Sequence, residues 1–213
     1  MFRYHIQKIQ QKVNRTKGMI KATANNSFNR AFTARVLWDR VAIPGMLYGL
    51  DVISINAGDI KELEKVQNEM GKWILGAPPC TATEAVLGEL GWLSITDRIT
   101  KSKLNYWGYL QEIDDNRWCR KVYLESVKEQ TKWIRDIDGI AEKYDLKGPD
   151  EVEDWKVYVW KTIMQGWTDD WKRGVREKST LKAYKVMEKP KKSTCWDGSK
   201  GSKLLFQCRA GVI

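Results

Sequence analysis

A chain of 213 residues, 42% hydrophobic and 30% charged, is long enough to bury a core and too apolar to be disordered throughout. Its 37 lysines and arginines against 27 acids give a net charge of +10, unevenly spread: residues 1–40 hold nine basic residues and one acid, residues 171–213 twelve and three, and the stretch between is net −7. Basic ends around an acidic middle favour contact with a polyanion over general solubility, and neither a bilayer-spanning apolar run nor the apolar core of a signal peptide is present, so an intracellular protein is expected.

Helical periodicity runs through nearly the whole sequence. From Tyr4 to Phe32, apolar residues recur at Ile6, Ile9, Val13, Met19 or Ile20, and Phe28, with Lys8, Lys12, Arg15, Lys17 and Lys21 between them, and Gly18 and the polar Thr23–Ser27 stretch are the places where this helix can be interrupted. A second helix over 31–48 carries Val36, Leu37, Val41 and Leu47, with a kink expected at Pro44. Asn56 or Asp59 begins a third, striped by Ile60, Leu63, Val66, Met70 and Ile74 and stopped by Gly76 and Pro78-Pro79. Thr81 with Glu84 fits a capping box for a short helix ending at Gly91, and Ser94 with Asp97 opens the next, which carries Ile95, Ile99, Leu104, Trp107 and Leu110.

Past the turn-like Asp114-Asp115-Asn116, helices are predicted over 118–130 and 132–144, then a break at Lys147-Gly148-Pro149. Asp150 and Glu153 start a long helix bearing Trp155, Val159, Ile163, Trp167 and Trp171. A basic linker follows Met187, and a short helix over 202–209 ends before Gly211. Strand-like alternation never persists. The expected fold is all-α, a bundle of about eight to ten helices in two loosely joined halves, divided as 1–113, 114–187 and 188–213.

Catalytic arrangements are missing. No Gly-rich phosphate loop occurs, and the single histidine, His5, leaves no partner set for nucleophilic catalysis. Cys80, Cys119, Cys195 and Cys208 are scattered without a Cys-X-X-Cys pair, so they read as reduced thiols with no zinc site, and no cofactor is expected. Two acid pairs, Asp114-Asp115 and Asp169-Asp170, resemble magnesium ligands only in composition. The first sits in a loop and the second in a solvent-facing helix, where neighbouring residues point about 100° apart and do not converge on one ion. Most of the 11 tryptophans read as structural.

From Val36 to Leu110 the chain resembles the region that follows the polymerase core of non-LTR retrotransposon (LINE-type) reverse transcriptases. The resemblance is carried by Pro44 with Leu47-Tyr48-Gly49, by Leu63-Glu64 with Gln67-Asn68, by Ile74-Leu75-Gly76 with Pro78, and by Gly88-Glu89-Leu90-Gly91-Trp92. The closing Gly201-Ser202-Lys203-Leu204-Leu205 and Arg209-Ala210-Gly211-Val212 are similar to the stretch preceding that family's Cys/His zinc knuckle. The middle, 112–187, matches only in helical character. Such a resemblance implies a helical thumb and connector that grip template–primer, and a fragment lacking palm and endonuclease, truncated before the knuckle. It has no catalytic residue and no small-molecule substrate, and the upstream palm is its partner in the parent protein.

The expected function is therefore non-catalytic, sequence-tolerant binding of RNA, DNA or their hybrid through backbone phosphates. The candidate contacts are Lys8, Lys12, Arg15, Lys17 and Lys21, then Lys189, Lys191 and Lys192, and finally Lys200, Lys203 and Arg209. Leu47, Tyr48, Leu63, Leu90 and Trp92 read as core. The alternative is a helical structural or protein-interaction remnant that binds no nucleic acid.

Overall fold

A computed structural model describes residues 3–187, 190 and 196–212. The chain is all-α: among the described residues every regular element is a helix, and no helix is long and apolar enough to cross a membrane. In order these are α1 (Arg3–Asn25), α2 (Arg30–Leu37), α3 (Ile43–Leu47), α4 (Ala57–Leu75), α5 (Thr83–Leu90), α6 (Ile95–Glu112), α7 (Trp118–Lys128), α8 (Lys132–Tyr144), α9 (Trp155–Glu177), α10 (Lys182–Lys185) and α11 (Lys200–Arg209).

The helices sort into two compact units that are discontinuous in sequence. Met1–Met46, Ala57–Ile95 and Trp167–Ile213 form the first; Leu47–Asn56 and Thr96–Gly166 form the second. The expected boundary at 113/114 falls between α6 and α7, both of which belong to the second unit.

In the first unit, α1 buries Ile6, Ile9, Val13, Ile20 and Ala24 at steps of three, four and seven residues, the signature of one helix face turned to a core. It packs on α2 and α4. The helix runs through Gly18 and ends at Asn25, within the polar Thr23–Ser27 stretch, because Ser27 bonds back to the Ala24 carbonyl and Asn29 accepts from Phe32 N at 2.9 Å, capping α2. Phe28 is left fully exposed in the turn.

The expected stripe on the second helix is corrected. Val36 and Val41 are exposed, and the buried row is Ala31, Ala34, Trp38, Ala42 and Met46. Small alanines let α1 and α2 approach closely, so volume, not hydropathy, selects the packing face. Ahead of Pro44 the helix departs from α geometry. The proline offers no N–H to Arg40 and crowds that carbonyl, and the chain widens into a π-turn over Trp38–Ala42, with Ile43 N bonding the Trp38 carbonyl. Trp38 then stacks on buried Trp92 with ring centroids 6.1 Å apart, while Trp92 Nε1 donates to Asp39 Oδ2 at 3.3 Å. Tyr48, read as core, is 78% exposed, because it follows α3 in the turn that Gly49 closes at φ +73°.

The short helix α5 begins at Thr83 behind Ala82, and the Thr81 hydroxyl is buried without making the expected capping bond. Its end is as the sequence indicates, with Gly91 left-handed at φ +63°. Two tryptophan-mediated joints follow the same pattern, an indole N–H reaching a helix carbonyl across the core. Trp171 Nε1 donates to the Glu84 carbonyl at 2.8 Å in the first unit, and Trp155 Nε1 donates to the Leu104 carbonyl at 2.8 Å in the second. The cap of α9 is Asp154, whose Oδ1 accepts from Val157 N at 3.0 Å, in place of the expected Asp150 and Glu153.

The second unit holds two apolar clusters, Leu104, Trp155, Val159 and Ile163 in one, Leu110, Tyr123 and Ile134 in the other. Buried Lys103 is matched by Asp136 at 3.1 Å.

Two helical glycines are structurally unnecessary. A Cβ on Gly18 in α1 or Gly139 in α8 would meet nothing within 4 Å. Gly18→Ala and Gly139→Ala are each expected to raise the unfolding free energy by about 0.5–1 kcal/mol, because glycine loses more backbone freedom than alanine on entering a helix. Urea unfolding checks this; a loss of stability would contradict the space seen at both positions.

Candidate nucleic-acid interface

Folding redistributes the charge by unit. The first carries 24 basic residues against 12 acids, net +12; the second carries 13 against 15, net −2. Both basic ends of the sequence thus belong to one body, and any polyanion surface is to be sought there.

Within that body the eleven candidate residues do not form one set. Lys8, Lys12 and Arg15 follow each other at i, i+4 and i+7, out of phase with the buried Ile6–Ile9–Val13 stripe, and all three are exposed. They make a basic strip along α1, extended by exposed Tyr4, whose ring lies 4.6 Å from Lys8 Nζ, and by exposed Met19.

Lys17 and Lys21 turn the other way. Lys17 Nζ pairs with Glu69 Oε2 of α4 at 2.8 Å. That hydrogen bond, with the charge of Lys17, holds the Glu69 carboxyl below its ordinary range in spite of burial. Lys21 Nζ lies 5.3 Å from the centre of the Trp73 ring, which Arg30 also covers at 4.6 Å. Burial, then repulsion from Lys17, lowers the Lys21 ammonium, and Glu69 only partly opposes this. Both lysines therefore serve the α1–α4 packing. Their positions announce it: Lys17 is four residues beyond Val13, and Lys21 follows Ile20, so both border the core stripe.

At the other end of the chain, Lys200 is exposed in the first turn of α11, where Ser199 Oγ accepts from Ser202 N at 3.1 Å. An anion already sits beside this turn. The Asp197 carboxylate accepts from Ser199 N at 2.8 Å, and hydrogen bonds from the Ser199 backbone, then from the Ser199 and Ser202 side chains, hold it down to about 2. Lys203 is half-buried, its methylenes lying over Gly76, whose φ is +64°. Arg209 is committed inward, with Nη1 3.2 Å from Oε1 of buried Glu89. Lys189, Lys191 and Lys192 lie outside the described residues.

A basic patch that was not among the sequence candidates lies on α9, where Lys172, Arg173 and Arg176 line an open depression with Asp169 and Glu177. The recurrence of Lys172 and Arg176 at i, i+4 beside the Trp171–Val175 core positions is the signal that would have found it. Arg173 is paired with Asp170 at 3.1 Å.

In the acid pairs, Asp115 pairs with Arg120 at 3.1 Å, Asp114 accepts from Asn116 N, and Asp170 pairs with Arg173. Among the described residues no group of three or more His, Cys, Asp or Glu side chains is placed to hold a metal ion. Compared with protein-family models, curated proteins and solved structures, the chain matches none.

Proposed function

We propose that the chain is a non-catalytic nucleic-acid-binding module, holding RNA, DNA or their hybrid by the phosphate backbone as the thumb-like region of a non-LTR retrotransposon reverse transcriptase would. The observation that carries this reading is the Lys8–Lys12–Arg15 strip, three exposed cations on one face of α1 in a body of net charge +12. Consecutive cations along a helix match a line of phosphates and read no base, so binding is sequence-tolerant. An upstream polymerase palm is the companion domain this function implies, and the nucleus is its natural compartment.

The test is fluorescence anisotropy of the purified chain with an RNA–DNA hybrid and with duplex DNA across a salt series. Affinity is expected to fall steeply with salt. Lys8→Gln, Lys12→Gln and Arg15→Gln together are expected to reduce the log–log salt slope by about one per residue, because each lost phosphate contact releases one fewer counterion. Lys17→Gln with Lys21→Gln should instead lower thermal stability and leave most of the slope. Salt-insensitive binding, or a slope unmoved by the triple substitution in a folded protein, overturns the proposal. One observation favours a second reading, a helical scaffold: Lys17, Lys21 and Arg209 are spent on internal contacts. A folded chain that binds neither duplex at low salt decides for it.

A further inference from the structure

The second unit contains an open cavity of about 370 Å³, formed where α6, α7 and α8 meet Val52. Its volume is in the range of pockets that take small organic molecules. Tyr106, Trp118, Val122, Tyr123 and Trp133 make most of the wall.

These rings are fixed from behind. Trp133 Nε1 donates to the Asp51 carbonyl at 2.8 Å, and the Tyr123 hydroxyl accepts from Trp107 Nε1 at 3.2 Å and from Gln111 Nε2. Tyr106 meets Trp133 edge-on at 6.1 Å and 79°, and stacks on Tyr109 at 6.1 Å. Hydrogen bonds thus tie the polar tips of Trp133 and Tyr123 into the protein, and ring carbon is left to wall the space. A frame held this way keeps its opening instead of collapsing, which lowers the ordering cost of a ligand.

No charged side chain is among the residues that line the cavity. Arg120 is bound to Asp115 at 3.1 Å and to the Leu110 carbonyl at 2.7 Å, and Lys121 Nζ sits 5.6 Å from the Trp118 ring. The whole unit is net −2. A charged group seated against these walls would give up water for ring carbon, with no ionic partner among the lining residues. Cys119 and Ser126 add only a thiol and a hydroxyl to the lining. Trp118 at the rim is 81% exposed, an indole held in water beside an aromatic cavity.

We infer that this cavity is a binding site for an uncharged, planar aromatic or heteroaromatic small molecule, held by ring contacts with Trp118, Tyr106 and Trp133. Aromatic walls favour such a guest through stacked and edge-to-face geometry, and the missing ionic partner excludes its charged relatives. The site is independent of the nucleic-acid reading, since it lies in the unit that carries no basic excess.

The test is titration of the full chain with N-phenyl-1-naphthylamine, a neutral aromatic dye, beside its sulfonated relative 1-anilinonaphthalene-8-sulfonate. One neutral dye per chain is expected, bound about tenfold more tightly than the sulfonate. Ser126→Trp, which puts an indole into the cavity, should weaken the neutral dye by about tenfold while helix content and unfolding midpoint are retained. Independently, saturating dye should slow alkylation of Cys119 by iodoacetamide, read by peptide mapping, and leave exposed Cys80 unaffected. Equal or tighter binding of the sulfonate, undiminished dye binding by folded Ser126→Trp, or an unprotected Cys119 would each overturn the site. If Ser126→Trp does not fold, Cys119 protection in the unaltered chain decides.

Discussion

Arg209→Met is expected to lower the unfolding free energy by about 3 kcal/mol, the low end of what breaking a buried ion pair costs. The partner, Glu89, has a side chain only 2% exposed, and its Oε1 accepts from Arg209 Nη1 at 3.2 Å and from the Tyr184 hydroxyl at 2.9 Å. Without the guanidinium, a carboxylate remains in the core with one neutral donor. Arg209 itself is 36% exposed, so water recovers part of the loss, which places the estimate at the low end. Glu89→Leu combined with Arg209→Met should restore most of the stability, since an apolar pair of similar volume leaves no uncompensated charge. Tyr184 adds a pH signature. Burial, then the charge of Glu89, pushes its phenol well above the ordinary tyrosine range. An acid raised on folding contributes stability that is complete below its unfolded value, near 10, and lost as pH climbs through the alkaline range. Tyr184→Phe should flatten that alkaline loss. Urea unfolding of Arg209→Met within about 0.5 kcal/mol of the unaltered chain would show that the pair is not structural.

The Glu89–Arg209 contact also shows what was legible in the sequence. Of the segments carrying the retroelement resemblance, Leu47-Tyr48-Gly49 falls in the second unit and the others lie in the first, where their polar residues have physical roles. Gln67 Nε2 donates to the Leu93 carbonyl at 3.0 Å, and Asn68 Nδ2 to Thr83 Oγ1 at 2.8 Å, tying α4 to the ends of α5. Gln207 Nε2 reaches the Gly76 carbonyl at 3.1 Å, anchoring α11 to the turn after α4. In Gly88-Glu89-Leu90-Gly91-Trp92, Gly88 leaves room for the Trp171 ring, Glu89 takes Arg209, Leu90 is core, Gly91 turns the chain, and Trp92 stacks on Trp38. These residues are architectural.

Periodicity gave the helices because burial imposes it, and the glycine stops because a left-handed backbone demands them. Pairing across long separations was not legible. Nothing local distinguishes Arg209, which faces Glu89, from Lys200, which faces water. The same holds for α1, where phase relative to Ile6, Ile9 and Val13 separates Lys8, Lys12 and Arg15 from Lys17 and Lys21, but only contact with Glu69 and Trp73 explains the difference. The second unit shows the opposite limit: its cavity is made by rings from α6, α7 and α8, and no spacing within one helix announces it.

Gly108→Ala should be the most damaging glycine replacement in the second unit, although alanine is the better helix former by about 1 kcal/mol. A Cβ at Gly108 in α6 would stand 2.2 Å from Trp155 Cδ1 and 2.3 Å from its Nε1. That indole cannot swing aside cheaply. Its N–H is held by the Leu104 carbonyl at 2.8 Å, and Trp107 meets it edge-on at 5.4 Å. The methyl group must therefore displace a buried ring, break its hydrogen bond, or push α6 away from α9. Overpacking with a lost buried donor outweighs the propensity gain, for an expected net loss of about 2–3 kcal/mol. Trp155→Leu in the same chain should reverse much of the added cost, because the smaller side chain vacates the space and removes the N–H that needed a partner. Hydrogen exchange in α6 and α9, together with urea unfolding of the single and double variants, measures that coupling. Additive effects would mean that the methyl and the indole do not compete for the same volume, and the close approach of α6 to Trp155 would have to be abandoned.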